Sequence, residues 1–358
     1  MRDFKSIQKR AGQTILFMAI LIVILTGVSE RIELACIEND NLVQSRNKST
    51  FRILREPDNS IDVIVVGDSL SYSSVSPMEL WKDYGITAYV CGQSGQKIQE
   101  TYHMLENAFA TQSPKLVILE TNTMFRGRLE QELTNLKETL EEWANNYIPI
   151  FRGHDIWKSF VMDKEYPEEN FKGFALRCGI QAYEKGDYML ETEQKEEMPP
   201  TVVNYMENII KLCEENGAKL LLLGTPSPAN YNYRRHNSID AYAKEHNLEY
   251  LDMNMKLREV GIDWNTDTLD KGDHLNLSGA RKVTQYLGEF LDKQYRLPDH
   301  RGERNYIAWQ KEAEDYTEKM KKSLKVMRIN EDKTNGKLEK VDNSDISACM
   351  SGLLRITI

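Results

Sequence analysis

The chain has 358 residues, 41% of them hydrophobic, enough for one large domain or one domain with appendages. Its formal charge of -9 argues against nucleic acid as a partner. It also argues against tight electrostatic binding to anionic lipid headgroups.

The first element in chain order is apolar. No charge lies between Arg10 and Glu30, and residues 14–28 read TILFMAILIVILTGV. A bilayer takes about 20 residues of helix to cross, so this run is at the short end. Arg2, Lys5, Lys9 and Arg10 precede it. Positive charge stays inside, which predicts a cytoplasmic N-terminus (1–12), a transmembrane signal anchor (13–29) and a main domain outside the cytoplasm. The expected location is the cell membrane, through one helix. A cleaved signal peptide is the rival reading. However, no small-x-small site follows the run, and ELAC ending at Cys36 has Glu33 where a lipoprotein site wants an apolar residue.

Residues 30–58 are polar and mixed, and read as a stalk. A rhythm then begins. IDVIVVG (61–67), ITAYVCG (86–92), PKLVILE (114–120), AKLLLLG (218–224) and LEYLDM (248–253) are short apolar runs. Such runs predict strands buried on both faces. Helical patterns separate them: PMELWKDYG, KIQETYHMLENAFATQ, VVNYMENIIKLCEENG and IDAYAKEHN. SGARKVTQYLGEFLDKQY closes the series, with Ser278 as its candidate N-cap. The alternation predicts an α/β domain over 59–297, a parallel sheet with helices on both faces.

Residues 125–200 break the rhythm and read as a helical insertion covering one end of the sheet. Leu129, Leu133, Leu136, Leu140 and Trp143 mark one face of an amphipathic helix there. Residues 298–358 are highly charged, with a helix expected over 306–328 and an undetermined tail from 330. The five cysteines show no CxxC pair and define neither a zinc site nor a disulfide framework. GxGxxG, Walker A and HExxH motifs are absent. No cofactor and no metal are expected.

In open α/β sheets, ligands bind beyond the carboxyl ends of the strands. Four polar clusters fall at that edge or before the last helix: GDSL (67–70), CGQSGQ (91–96), ETNT (120–123) and DTLDKGDHLNLSGA (267–280). Over roughly residues 60–295 this series resembles the SGNH, or GDSL, hydrolase superfamily. Within it the chain looks most like membrane-anchored members, the D-alanine transfer protein of lipoteichoic acid synthesis and the polysaccharide O-acetylation proteins. The resemblance implies a flavodoxin-like three-layer α/β/α sandwich with a five-stranded parallel sheet. It also implies work beside a membrane-bound O-acyltransferase.

A serine hydroxyl is a weak nucleophile and needs a positioned base. Ser69 is the candidate nucleophile, with an N-cap role as the plainer alternative. His274 is the candidate base. Among the other histidines only His154, in the insertion, invites attention. The family pattern places the orienting acid three residues before the histidine, but Lys271 stands there. Asp270, four residues back, shares a face with His274 on a helical turn, whereas the adjacent Asp273 does not. Asp270 is therefore preferred, and Asp273 is kept. The resemblance further maps oxyanion donors onto Gly95 and Asn122, beside the Ser69 backbone N–H. The Asn122 match is partial, since Glu120-Thr121-Asn122-Thr123 replaces Gly-x-Asn-Asp. Asn276 is expected to cap or brace the histidine loop. Glu79 and Asp83 read as a solvated helix face. Arg234 and Arg235 are candidates for touching an anionic acceptor, with solvation the plainer reading.

The expected function is an extracytoplasmic serine-dependent acyl esterase or O-acyltransferase working through an acyl-serine. Acetyl or similar small acyl groups of cell-envelope or exported glycan polymers are the expected cargo. A small acyl donor and a glycan or polyol acceptor are the expected ligands. The alternative is a catalytically inactive subunit that binds glycan or a membrane-bound O-acyltransferase.

Overall fold

The computed structural model describes residues 2–127, 132–153, 155–162, 165–166, 168 and 170–334. His154, Leu129 and the tail from 335 lie outside them. In chain order the elements are α1 (Arg2–Glu38), α2 (Lys48–Arg52), β1 (Val63–Gly67), α3 (Ser69–Ser74), α4 (Pro77–Tyr84), β2 (Ala88–Gly92), α5 (Ile98–Phe109) and β3 (Leu116–Glu120). Then come α6 (Glu132–Tyr147), α7 (Pro149–Arg152), α8 (Ile156–Met162), α9 (Pro200–Glu215), β4 (Lys219–Gly224), α10 (Tyr233–Glu245), β5 (Glu249–Asp252), α11 (Leu257–Val260), α12 (Leu277–Tyr295) and α13 (Ile307–Thr334). Two units contain them. One holds residues 1–55 with 133–168, the other 56–132 with 169–358.

The larger unit is built on a five-stranded sheet, all parallel, in the order β2-β1-β3-β4-β5. The five strands lie inside the five apolar runs. Strands β1, β2 and β3 are buried along their whole length. Each fully buried Val, Leu or Ile contributes about 1.5–3 kcal/mol of transfer free energy, which explains why these runs read as continuously apolar. Val63, Val65, Val90, Ile118 and Leu221 share one core with Leu80 of α4 and with Val283, Leu287 and Leu291 of α12. Strand side chains alternate in direction, and α5 and α9 pack together against β1 and β4. The result is an α/β/α sandwich.

The chain starts in the sheet interior at β1, pairs to β2 on one side, then returns to β3 on the other. The carboxyl ends of β1 and β3 therefore form the switch point where such sheets open a crevice. Gly67 ends β1 there with φ +153, and a Cβ on it would lie 2.7 Å from the Cβ of Glu120. Glycine lets the chain turn off the sheet against β3.

In the smaller unit, α1 continues to Glu38, past the expected boundary at 29. The residues after it do not form an extended stalk. Asp40 accepts from Lys48, Arg52 and Arg55, while Val43, Phe51, Cys36 and Ile156 bury together. Burial alone would raise the Asp40 pKa, but the three cations hold it down at about 2. The sequence reads as polar here because its cations converge on one acid. The 125–200 region, between β3 and β4, is shared between the units. Residues 133–168 belong with this unit, whereas 169–200 belong with the sheet. Among the described cysteines, Cys36, Cys91 and Cys213 are free and buried, and Cys178 is disulfide-bonded.

Candidate active site

Ser69 is the first residue of α3, directly after the β1 turn. Asp68 caps that helix, its Oδ1 accepting from the Leu70 N–H at 2.9 Å. The cap role considered for the serine thus falls to its neighbour, and the Ser69 hydroxyl is left for another partner. That partner is His274, whose Nε2 lies 2.8 Å from Ser69 Oγ.

His274 sits on a loop closed by an antiparallel bridge between Thr268 and Leu275. Asp270 Oδ1 accepts the His274 backbone N–H at 2.6 Å, and Asp270 Oδ2 meets ring Nδ1 at 2.7 Å. Asp273 Oδ2 stays 3.6 Å from the same nitrogen. The other oxygen of Asp273 takes the Asn230 amide at 2.6 Å. The extra residue is absorbed by a turn in which Lys271 and Gly272 adopt φ +61 and +89. Burial alone would raise the Asp270 pKa. The His274 ring and N–H, with Arg177 nearby, outweigh it and hold the carboxyl below its ordinary value. These two acids and His274 also bring ligand atoms within 4.8 Å of one another. Asp270 already engages the Nδ1 and Ser69 the Nε2 of that ring.

A strap of residues 170–196 braces this loop, and nothing in its composition announced it. Gln181 N–H donates to Thr268 O at 3.2 Å, Gln181 O accepts from Lys271 N–H at 2.9 Å, and Tyr183 N–H donates to Trp264 O at 3.0 Å. Asn276 ties both ends. Its Nδ2 donates to Gly179 O at 3.0 Å and Thr266 O at 2.7 Å, while its Oδ1 accepts from Ser278 and Gly279 N–H groups. Asn276, not Ser278, is therefore the N-cap of α12.

Beside Ser69 lies a buried polar cluster. Asp68 Oδ2 accepts from Asn122 Nδ2 at 2.7 Å and from Arg126 Nε. Asn122 Oδ1 accepts from Arg235 Nη1 at 3.0 Å. Asn122 is thus fixed at both ends of its amide. Gly95 occupies the turn after β2 at φ +64 with open space where a side chain would start. Glu120, where the family pattern has glycine, is wholly buried. It accepts from Tyr231 at 2.8 Å, Thr225 at 3.2 Å and the Asn122 N–H at 3.1 Å. Burial and the neighbouring Asp68 charge nonetheless push its pKa up.

Arginines surround the site from three segments. Arg126 adjoins Asp68, Arg235 stacks 4.6 Å from the Phe125 ring, and Arg177 stacks 5.2 Å from the Tyr72 ring. Only Arg235 was singled out in the sequence, because isolated arginines carry no spacing signal. The remaining described histidines have other partners: Glu106 for His103, Asp252 for His236, the Tyr242 ring for His246, and Asp62 with Glu303 for His300. Glu79 is not a solvated residue. It is 5% exposed and binds Lys82, Arg281 and Tyr316.

No family model and no curated protein matches the chain. Solved structures do. A GDSL-like lipase from Bacteroides thetaiotaomicron aligns at TM-score 0.37 and 13% identity, over 70% of this chain and 98% of that one. A protein described as an acylhydrolase from Bacteroides fragilis aligns at 0.36 and 13%, over 70% and 95%. A protein described as lipolytic, of the G-D-S-L family, from Desulfitobacterium hafniense aligns at 0.35 and 15%, over 63% and 97%. Likenesses this distant carry no argument about activity, so the functional reading rests on the geometry.

Proposed function

We propose that the chain is a serine-dependent acyl enzyme of the SGNH type, an esterase or O-acyltransferase. The observation that carries this is the continuous line from Asp270 through the His274 ring to Ser69, with contacts of 2.7 and 2.8 Å. In the proposed reaction, Ser69 Oγ attacks an acyl carbonyl as His274 Nε2 takes its proton. Asp270 stabilises the resulting imidazolium. The tetrahedral oxygen is met by the Ser69 N–H, by Gly95 and by the Asn122 amide. Collapse expels the donor's leaving group, which takes the proton from His274, and leaves an acyl-serine. A second hydroxyl, from water or a sugar, then gives its proton to His274 and accepts the acyl group, the acyl–Oγ bond breaks, and His274 returns the proton to Ser69 Oγ.

Two features bear on the substrate. Helix α1 is long and apolar enough to cross a membrane, in support of an anchor, and the basic residues Arg2, Lys5, Lys9 and Arg10 before its apolar run favour a sheet domain outside the cytoplasm. Arg126 and Arg235 are paired with Asp68 and Glu196, so it is Arg177, beside the Tyr72 ring, that favours an acyl donor or acceptor with anionic groups, such as an acidic envelope glycan. A small acyl group such as acetyl fits this reading, and a membrane-bound O-acyltransferase would be its source. The departures from the family pattern at Lys271 and at residues 120–123 keep an inactive binding subunit as the alternative, and the turn that returns Asp270 to the ring offsets the first of them. Turnover of a small acetyl ester by wild type and Ser69→Ala tests the proposal. Equal rates would defeat it.

A further inference from the structure

Helix α6 is inside out. Leu136, Leu140, Trp143 and Tyr147 recur at helical spacing on one stripe, and each is 51–57% exposed. Among the described side chains of the same helix, the buried ones are Asn135 and Glu142. Glu142 forms a buried ion pair with Arg152 of α7, whose guanidinium also donates to Thr50 of α2 at 3.3 Å. Phe151 of α7 and Trp157 of α8 are exposed as well. In water an amphipathic helix turns its apolar stripe inward, so this orientation needs a different surrounding.

The position of α7 indicates which. The Ile150 N–H donates to Ser29 Oγ at 3.4 Å, where the uncharged run of α1 ends before Glu30. A Cβ on Gly153 would meet Ile32 at 2.7 Å and Cys36 at 3.5 Å. At 1.5 Å rise per residue these contacts fall within about 10 Å of the end of the apolar run. That is the depth of the headgroup boundary, where Trp and Tyr concentrate in membrane proteins.

We propose that α6, α7 and the start of α8 form a lipid-docking surface at the outer end of α1, continuous with its membrane-exposed face. The occupant is the headgroup and acyl-chain boundary of the bilayer. Lys137 and Glu141 beside the stripe neutralise each other as an ion pair of 3.4 Å, so attachment is by apolar and aromatic burial, and zwitterionic lipid suffices. This proposal rests on the reading of α1 as a membrane span.

The test uses the full chain in phosphatidylcholine vesicles, with nitroxide labels at Trp143→Cys, Phe151→Cys or Trp157→Cys. These side chains are about half exposed, and circular dichroism of each labelled variant against wild type checks that the fold is kept. Ile20→Cys reports on α1, and Lys244→Cys is a water-exposed control. Oxygen partitions into lipid and a nickel chelate into water. The proposal predicts that the oxygen-to-nickel collision ratio at the three patch sites exceeds that at Lys244→Cys several-fold. Ratios equal to the control, with Ile20→Cys in lipid, would overturn the docking surface and leave the anchor standing. Water-like ratios at Ile20→Cys too would overturn both. Spin–spin broadening at Trp143→Cys would place a second copy on this face and also overturn the proposal.

Discussion

Asp270 grips His274 twice, through the backbone N–H at 2.6 Å and through ring Nδ1 at 2.7 Å. The first contact fixes where the side chain starts and the second where it points. Asp273 stands 3.6 Å away and is turned to Asn230. Asp270→Asn is therefore expected to lower kcat/KM by roughly 10³–10⁴, the scale of such orienting carboxylates elsewhere. Asp273→Asn is expected to cost less than about 10-fold, since its contact with the ring lies beyond hydrogen-bond range. Steady-state kinetics on an acetyl ester will rank the two, and the reverse order would contradict the assignment.

The Lys271–Gly272 turn makes a second prediction. Lys271 holds φ +61, a conformation costing a non-glycine residue about 1–2 kcal/mol. Lys271→Gly should stay within about 1 kcal/mol of wild type, because the relief is set against greater chain entropy in the unfolded state. Lys271→Val should lose about 1–3 kcal/mol and reduce kcat as His274 loosens. Denaturant midpoints with matched kcat values decide this. A valine variant equal to wild type would show that the turn is unstrained.

Asn122 separates a donor role from a structural one. Its amide is fixed between Asp68 and Arg235. If one of its N–H groups meets the tetrahedral oxygen, Asn122→Ala should lower kcat by about 10²–10³ with KM little changed. A variant that alters KM alone would remove it from the oxyanion site.

Glu120 should leave a pH signature. Its pKa is raised in the folded state, first by burial and then by Asp68. The stability this group contributes is full below its ordinary value of 4.5, and is lost as pH rises through the raised folded value. Glu120→Gln cannot ionise, so its Tm should decline less than that of wild type as pH rises across that window. Parallel Tm–pH profiles would mean that Glu120 carries its charge at no cost.

The sheet was legible because parallel strands buried on both faces are near-continuously apolar, as 63–66 and 116–119 are. Ser69 stood out because a polar residue at a strand end contrasts with such a run, and His274 because of the acids beside it in the block before the last helix. Long-range partners were not legible. Nothing local marks Asp40 as the acceptor for three cations, or Glu79 as a buried acid shared by α4, α12 and α13. Lys271 read as a break in spacing because left-handed backbone has no composition signal when the residue is not glycine. The stripe of α6 was visible as a period. Its outward direction was not, since periodicity defines a face but not what the face meets.

The central claim is that Ser69 becomes acylated. Peptide mass spectrometry after exposure of the full chain to a fluorophosphonate or a small acyl donor measures this directly. The account predicts an adduct on the peptide containing Ser69, lost in Ser69→Ala and slowed in Asp270→Asn. Equal labelling of Ser69→Ala, or an adduct at another residue with Ser69 unmodified, would contradict it.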